Sequence, residues 1–199
     1  MNTTTSVAFP ATGELSDGTR VTIRPLVPGD ASELLEGFAR LSPRSRRQRF
    51  HCGIGHLNRS QLEFLTHPDQ TDHLALCMQT EPTDSNVSHG IGVARCVRTS
   101  DADDVAEVAV TVVDQWQGRG AGRLLLRHLA TRAWEMGIRY WEISHFSDNR
   151  AVSALIAHHA TVVKRDSAGD GVIDVICSLS NVRKEQMSSH NSTMTTTTA

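Results

Sequence analysis

The sequence lacks the paired cysteines and clustered histidines that mark many metal proteins. Its four cysteines are scattered without a CxxC pair, and its ten histidines include no HExxH motif. No metal cofactor is therefore expected, and free core thiols in a reducing cytoplasm are the favoured interpretation of the cysteines. A formal net charge of −2 gives no general electrostatic attraction to nucleic acid, so nucleic acid is not expected as a partner.

Long apolar runs and targeting signals are also missing. No apolar stretch approaches the length of about 20 residues that spans a bilayer, so no membrane association is expected. The first residues lack the charged and apolar segments of a secretory signal, which favours a cytoplasmic location. The composition predicts a flexible tail over residues 1–17, one domain over 18–182 and a disordered tail over 183–199.

What the sequence does contain is a stretch over residues 105–137 that predicts a strand, a glycine-rich turn and a helix. Its first ten residues are apolar and mostly β-branched, which is typical of a strand covered on both faces. Gly118, Gly120 and Gly122 follow, and leucines and alanines then recur at helical spacing. Gly137 is expected to end the helix in the left-handed conformation.

A glycine-rich turn between a strand and a helix predicts an anion-binding site. Unpaired backbone N–H groups point outward there, and the helix dipole adds partial positive charge. The sequence has no GxxxxGK(S/T) motif, which excludes a P-loop, and the order of its glycines differs from the GxGxxG of dinucleotide-binding domains. On glycine spacing alone, a turn with purely structural glycines is an equal alternative.

The residues around this turn resemble the acetyl-CoA motif of the GNAT superfamily of N-acetyltransferases. The resemblance rests on residues 112–114 and 117–122 and on the three leucines that follow them. It extends over nearly the whole chain between the two tails. Segments within residues 17–25, 41–46 and 106–109 look most like bacterial protein-lysine acetyltransferase domains.

The resemblance implies an α/β fold with a GNAT-like mixed, mostly antiparallel sheet of six or seven strands flanked by helices. It also implies acetyl-CoA as co-substrate, and a small-molecule amine or a protein lysine as acceptor, in a monomer or a homodimer. In that family the turn holds the CoA pyrophosphate through backbone amides, and an amide of the preceding strand orients the acetyl carbonyl where that strand splays from the next. The residues that this implies for cofactor binding are Val112, Val113, Gln117, Gly118, Arg119, Gly120, Ala121, Gly122, Arg123 and Asn149. A helix N-cap role alone would also account for Asn149.

Glu107 is the candidate catalytic base. It is the one carboxylate in an otherwise apolar strand beside the turn, an environment that disfavours a charged side chain. Alternation places it on the face of Ala109 and Thr111, whose small side chains leave room for a substrate. Members of the family often carry a glutamate at this position, which acts directly or through water. The alternative is an edge carboxylate paired with an arginine such as Arg95.

One position departs from the family pattern. Many relatives carry a tyrosine seven residues after the position of Asn149, where it protonates the leaving thiolate, but this chain has Ile156. The only tyrosine, Tyr140, belongs to another strand. The departure leaves open a second function, a catalytically weak acyl-CoA-binding sensor or interaction module.

Two clusters of charge have further consequences for the substrate. Asp101, Asp103 and Asp104 lie near the start of the central strand and, with Glu107, favour a cationic amine. Four arginines within residues 44–49 have two interpretations, contact with the CoA 3′-phosphate or an acidic partner, or a solvated helix face.

Overall fold

A computed structural model describes residues 8–83, 87–99 and 102–182, and one continuous sheet runs through these three segments. The strands of this part are Ala11–Glu14 (β1), Arg20–Pro25 (β2), His73–Thr80 (β3), Gly90–Arg98 (β4), Val105–Val112 (β5), Tyr140–Phe146 (β6), Thr161–Gly169 (β7) and Val172–Ser178 (β8). Their order is β1-β2-β3-β4-β5-β6-β8-β7, and neighbours are antiparallel except for β5 and β6. The expected mixed, mostly antiparallel fold is confirmed, with eight strands in place of six or seven.

The additional strand lies within the predicted N-terminal tail, so the prediction of flexibility is wrong for Ala11–Glu14. Strand β1 pairs antiparallel with β2. Gly13 lies directly against Leu124, because a Cβ atom built on the glycine would come within 2.5 Å of the leucine side chain. This tertiary contact and the pairing hold four residues whose sequence is too short to show a strand pattern. The other predicted tail residues, 1–7 and 183–199, lie outside the described residues.

Helices cover both faces of the sheet. Those of the described segments are Ala31–Ala39 (α1), Pro43–Phe50 (α2), Arg59–Thr66 (α3), Ala121–Glu135 (α4) and Arg150–His159 (α5). Helices α4 and α5 pack into the larger core on one face, and α1 packs Leu34 against Ala75 and Cys77 on the other. None of these helices is long and apolar enough to cross a membrane.

Both ends of α4 form as the glycines predict. Gly120 precedes the helix with φ +91°, and Gly137 follows it with φ +87°, in the left-handed region that favours glycine. Between them Leu125, Leu129 and Ala133 recur every four residues and are completely buried. The apolar stripe therefore fixes α4 on the sheet and places its N-terminus beside the end of β5.

The two parallel strands in the middle of the sheet separate along their length. Strand β5 pairs with β6 only over Val105–Glu107 and Tyr140–Glu142, although both strands continue beyond that point. On its other edge, β5 stays paired with β4 as far as Val112. The expected splay between these strands is therefore present, and it opens toward the glycine-rich turn.

Candidate active site

A cavity of about 440 Å³ lies where β5 and β6 diverge. Its walls come from the second half of β5, the end of β6, the turn before α4 and one side of α5. Most of the cofactor residues expected from the sequence meet there: Val112, Gln117, Gly118, Gly120, Ala121, Gly122, Arg123 and Asn149.

The turn before α4 presents a row of free backbone amides to this cavity. From Gly118 to Gly122, no amide donates a hydrogen bond to a described residue. Gly118 and Gly120 have φ of +73° and +91°, and no protein atom occupies the space where their Cβ atoms would lie. Free amides at the N-terminus of a long helix attract an anion, and the absent side chains let a phosphate approach closely.

Two of the sequence-predicted residues have other roles. The amide of Val113 donates to the carbonyl oxygen of Ile91 at 2.9 Å, so it is not available to a cofactor. The side chain of Arg119 forms an ion pair with Asp17 at 2.6 Å and lies over the ring of Trp116. Neither Val113 nor Arg119 lines the cavity. The amide of Val113 is therefore engaged with β4, so of the two alternatives only Val112 keeps an amide for the acetyl group. The amide of Arg119 stays in the free row of the turn, and its contact with the cofactor stays a prediction.

The amide of Val112, and not that of Val113, faces the gap between β5 and β6. Successive residues of an antiparallel strand direct their backbone groups to opposite edges, and the amide of Val113 points to β4. The amide of Val112 accordingly points toward the splay. Its carbonyl oxygen accepts a hydrogen bond from Nε2 of Gln117 at 2.9 Å, which ties the strand to the turn.

Asn149 serves as a helix cap and also borders the cavity. Its Oδ1 accepts a hydrogen bond from the amide of Val152 at 3.3 Å at the start of α5. The side chain is buried, and its Nδ2 donates no hydrogen bond to the described residues. The N-cap role is therefore present, and the residue also borders the cavity, while its contact with the cofactor stays a prediction.

Two buried polar atoms without partners support a ligand in this cavity. Nε2 of His145 and Nε1 of Trp116 have no hydrogen-bond partner in the described chain, and both residues line the cavity. Nδ1 of His145 lies 2.8 Å from the carbonyl oxygen of Phe146, so the proton belongs on Nδ1 and Nε2 is left as an acceptor. Buried polar groups normally have partners. A long ligand with amides, hydroxyls and phosphates, such as acetyl-CoA, fits this set of donors and acceptors.

His145 is a cavity residue that was not predicted, although the strand pattern gives the face on which it lies. Strand alternation places it on the same face of β6 as Trp141 and Ile143, and all three are buried. Which cavity that face borders depends on where β5 and β6 separate, which no local pattern gives.

Glu107 lies on the opposite face of the sheet, together with Ala109 and Thr111, as alternation predicts. It is exposed, and across the β5–β6 pairing it lies beside Glu142. Its carboxylate forms no hydrogen bond or ion pair with a described residue. The alternative pairing with Arg95 is wrong, because that arginine is buried and donates to His73 and to the carbonyl of Leu65.

A second cavity of about 90 Å³ lies on this opposite face, between the sheet and helices α1 and α2. It shares Arg49, Ala109 and Thr111 with the larger cavity, so the two meet along β5. Glu107 lines neither cavity but precedes Ala109 by two residues, a separation of about 7 Å along a strand. The site thus has two sides, which meet along β5. We call the larger cavity, with the glycine-rich turn, the cofactor side, and the smaller cavity, with Arg49 and the nearby Glu107, the acceptor side.

Comparison with known proteins identifies this arrangement. The model of the acetyltransferase (GNAT) family matches residues 56–159. The chain belongs to the GNAT acetyltransferase family. Among curated relatives, acetyltransferase Pat of Mycolicibacterium smegmatis is 31% identical over 147 residues, which cover 74% of this chain and 43% of the relative. An acetyltransferase of Pseudomonas aeruginosa is 30% identical over 152 residues, 76% of this chain and 80% of that protein.

Solved structures agree with this assignment. The GNAT domain of S. lividans PAT matches with a TM-score of 0.73 and 27% identity, covering 85% of this chain and 96% of that one. A cAMP-binding acyltransferase from Mycobacterium smegmatis matches with a TM-score of 0.58 and 25% identity over 87% of this chain. This chain spans 48% of that structure and 43% of the curated Pat protein, less than half of either.

In this GNAT domain the two sides of the site are connected by a hydrogen-bonded network, which we call the Asp114 latch. Asp114, in the turn after β5, accepts from the amide and hydroxyl of Ser42 at 3.0 and 2.7 Å and from the hydroxyl of Ser45 at 2.9 Å. Burial alone would raise the pKa of Asp114, but these hydrogen bonds lower it. Nε2 of Gln117 lies 3.3 Å from the Ser45 hydroxyl. The latch thereby joins the cofactor turn to the N-terminus of α2.

The charged clusters are distributed differently from the expectation. Asp103 and Asp104 lie in the turn that begins β5, whereas the residues of β5 that line the cavities begin at Val108. Asp101 lies outside the described residues. In α2, Arg46 donates to two backbone carbonyls, and Arg49 lines both cavities. The acceptor side of the site therefore carries arginine where acidic residues were expected.

Proposed function

We propose that this domain transfers an acetyl group from acetyl-CoA to a primary amine by direct attack within a ternary complex. The observation that carries this proposal is the row of free amides from Gly118 to Gly122, which faces a cavity opened by the splay of β5 and β6. Acetyl-CoA supplies the reactive thioester carbonyl. The protein supplies position, because holding the amine and the carbonyl together removes most of the entropic cost of their encounter.

The cofactor side binds and orients. The amides from Gly118 to Gly122 hold the pyrophosphate, with the partial positive charge of the α4 N-terminus behind them. The amide of Val112 donates to the acetyl oxygen as negative charge develops there. Asn149 contacts the CoA arm. None of these tasks needs a charged side chain, since each is performed by an amide.

Glu107 accepts the proton of the attacking amine. Its carboxylate is free of internal partners and shares a strand face with Ala109 and Thr111, which border both cavities. The distance of about two strand residues from Ala109 suits transfer through a bridging water. Proton removal by a positioned base is worth about 10²–10⁴-fold in rate.

Ile156 raises a second candidate function. It is buried and lines the cofactor cavity at the position where relatives carry a tyrosine acid. Direct transfer remains feasible because a thiolate is a weak base and leaves without a dedicated acid. The same residue also suits an acyl-CoA-binding sensor with weak catalysis, which would use the cavity and not Glu107.

A turnover assay separates these functions. Acetyl-CoA is incubated with a panel of amines that includes free amino acids, polyamines, lysine peptides and a lysate proteome, and release of CoA is followed together with N-acetylated product. Acetyl transfer to at least one class supports the enzyme, with a protein lysine among the acceptors tested. Tight binding of acetyl-CoA without transfer would support the sensor. Failure to bind acetyl-CoA would contradict both.

A further inference from the structure

The guanidinium group of Arg49 has no hydrogen-bond or ion-pair partner among the described residues. The arginine side chain is half-buried and lines both cavities. Its guanidinium carbon lies 4.8 Å from the centre of the Phe50 ring. A guanidinium group has five donors in a planar fork. Leaving that fork at a cavity wall without an acceptor is costly unless a ligand supplies one.

A second arginine adds to this positive charge. Arg95 is 5% exposed, lines the smaller cavity and donates only to neutral acceptors, Nε2 of His73 at 3.0 Å and the carbonyl of Leu65 at 3.1 Å. Burial, and next the charge of Arg49, lower the pKa of Arg95 to about 9. The two guanidinium groups therefore repel each other, and neither is neutralised by a bonded carboxylate.

None of the described carboxylates near the two cavities forms an ion pair with Arg49 or Arg95. Asp30 binds both terminal nitrogens of Arg24, at 2.7 and 2.8 Å. Glu33 accepts from Nε2 of Gln79 at 2.7 Å at the far end of the smaller cavity. Glu107 attracts the Arg49 charge but forms no ion pair with it. The end of the smaller cavity that meets the cofactor cavity is thus positive.

We propose that Arg49 binds a carboxylate of the acceptor, so that the preferred substrate is an amine that also carries a carboxylate. This inference rests on the proposed acetyl transfer. Arg49 stands where the two cavities meet, which suits a carboxylate close to the reacting amine, as in an α-amino acid. The apolar walls of the smaller cavity, which include Leu26, Leu34 and Phe38, then receive the rest of the molecule. The planar fork of an arginine matches a carboxylate bidentately.

The same carboxylate could come from an acidic side chain next to a lysine in a peptide, so the experiment has two arms. In each arm, kcat/KM for acetyl transfer is compared between two amines that differ only in this group. The first pair is leucine and leucinamide, and the second is an Asp-Lys peptide and an Asn-Lys peptide. The amine of leucinamide loses its proton more easily, so intrinsic reactivity favours leucinamide and cannot produce a preference for leucine.

The expected result is a preference for the acidic member of one pair, and the arm in which it appears identifies the source of the carboxylate. Arg49→Gln should lower kcat/KM for that member by about 10- to 100-fold and leave its neutral counterpart unchanged. Arg49→Lys, which keeps the charge but loses the fork, should fall between. Arg44→Gln is the matched control, because Arg44 lies on the exposed side of the same helix.

Two results would overturn the proposal. One is equal use of both members of both pairs by the wild type. The other is an equal loss for acidic and neutral members in Arg49→Gln, which would show that Arg49 acts through Glu107 or through the fold. A melting temperature measured for each variant identifies loss of fold. If Arg49→Gln does not fold, the acidic and neutral members are compared in Arg49→Lys instead. Absence of transfer to any amine would overturn the proposed function itself, and this inference with it.

Discussion

The two sides of strand β5 present different kinds of chemical group to a ligand. On the side proposed for the cofactor, the groups offered to a ligand are backbone amides held by glycine conformations and by the start of α4. On the acceptor side, the features are side chains that come from separate elements: Glu107 from β5, Arg49 from α2 and Arg95 from β4. The difference teaches that a site made of backbone can be read locally, whereas a site made of side chains depends on packing between distant segments.

The acceptor side should show the largest effect of a single change. Glu107→Gln keeps the shape and hydrogen-bonding capacity of the side chain but removes its basicity. The rate constant for acetyl transfer should fall by about 10²–10⁴-fold at neutral pH. Part of the loss should return at alkaline pH, where the amine needs no base. The measurement is kcat against pH.

Glu142→Gln is the matched control for this change. Glu142 lies beside Glu107 across the β5–β6 pairing, so the substitution removes a carboxylate from the same place on the sheet. It should leave the rate within about twofold. An equal loss in both variants would show that the local field, not proton transfer, carries the effect, and wild-type turnover in Glu107→Gln across all pH values would make that residue structural.

The cofactor side should respond to a change of backbone conformation. Gly120→Val places a β-branched residue at φ +91°, which costs about 1–2 kcal/mol and displaces the free amides. Affinity for acetyl-CoA, measured by calorimetry, should therefore fall at least about tenfold.

Gly137→Val is the control for this strain. Gly137 has φ +87° at the other end of α4 and equally open surroundings, so the cost to folding should be similar. Acetyl-CoA affinity should be unchanged in the folded protein. If both variants bound acetyl-CoA as the wild type does, the backbone of the turn would not be the pyrophosphate site.

Weakening the Asp114 latch should have a smaller effect than the changes at Glu107 and Gly120. Asp114→Asn keeps an acceptor but removes the charge from the bonds to Ser42 and Ser45, a loss of about 1 kcal/mol. The KM for the amine should rise about fivefold while acetyl-CoA affinity stays constant, because α2 is loosened and the turn is not. Asp72→Asn removes a surface ion pair elsewhere and is the control. A larger effect on acetyl-CoA affinity than on the KM would contradict this coupling.

The smallest effect is one of pH on stability. Burial, and next the Arg95 charge, lower the pKa of His73 from 6.5 to about 4. Between these values the unfolded chain binds a proton that the folded chain does not, so stability falls as the pH drops through this window. His73→Gln keeps an acceptor for Arg95 and should reduce the slope of unfolding free energy by up to about 1.4 kcal/mol per pH unit. An unchanged slope in urea titrations from pH 4 to 7 would contradict this assignment.

The predictive reach of the sequence follows the same division. The strand, turn and helix, the left-handed Gly137 that ends α4 and the face of Glu107 were predicted correctly, because each is set by residues that adjoin in the chain. Strand β1 was missed, since four residues carry too little pattern and its packing depends on Leu124. The convergence of Arg49 and Arg95 was missed as well, because it requires α2 to pack on β5, next to β4 in the sheet.

Two details on the cofactor side depend on strand register and on charge pairing between distant positions. Val113 and Val112 are indistinguishable by residue type, and only the register with Ile91 decides which amide faces the splay. The amide of Arg119 lies in the free row that the motif implies, but its side chain pairs with Asp17, which precedes it by 102 positions. Register and long-range charge pairing are not visible in a single sequence.

Direct transfer can be tested without choosing an acceptor. Among the described residues that line the two cavities, Cys77 is the one cysteine, and burial raises its pKa to about 12, which makes it a poor nucleophile. The protein is mixed with acetyl-CoA alone, and CoA release and intact protein mass are followed. Direct transfer predicts that CoA is released only after an amine is added and that Cys77 is acetylated at no stage. One equivalent of CoA released without amine, with an acetyl group on Cys77, would contradict it.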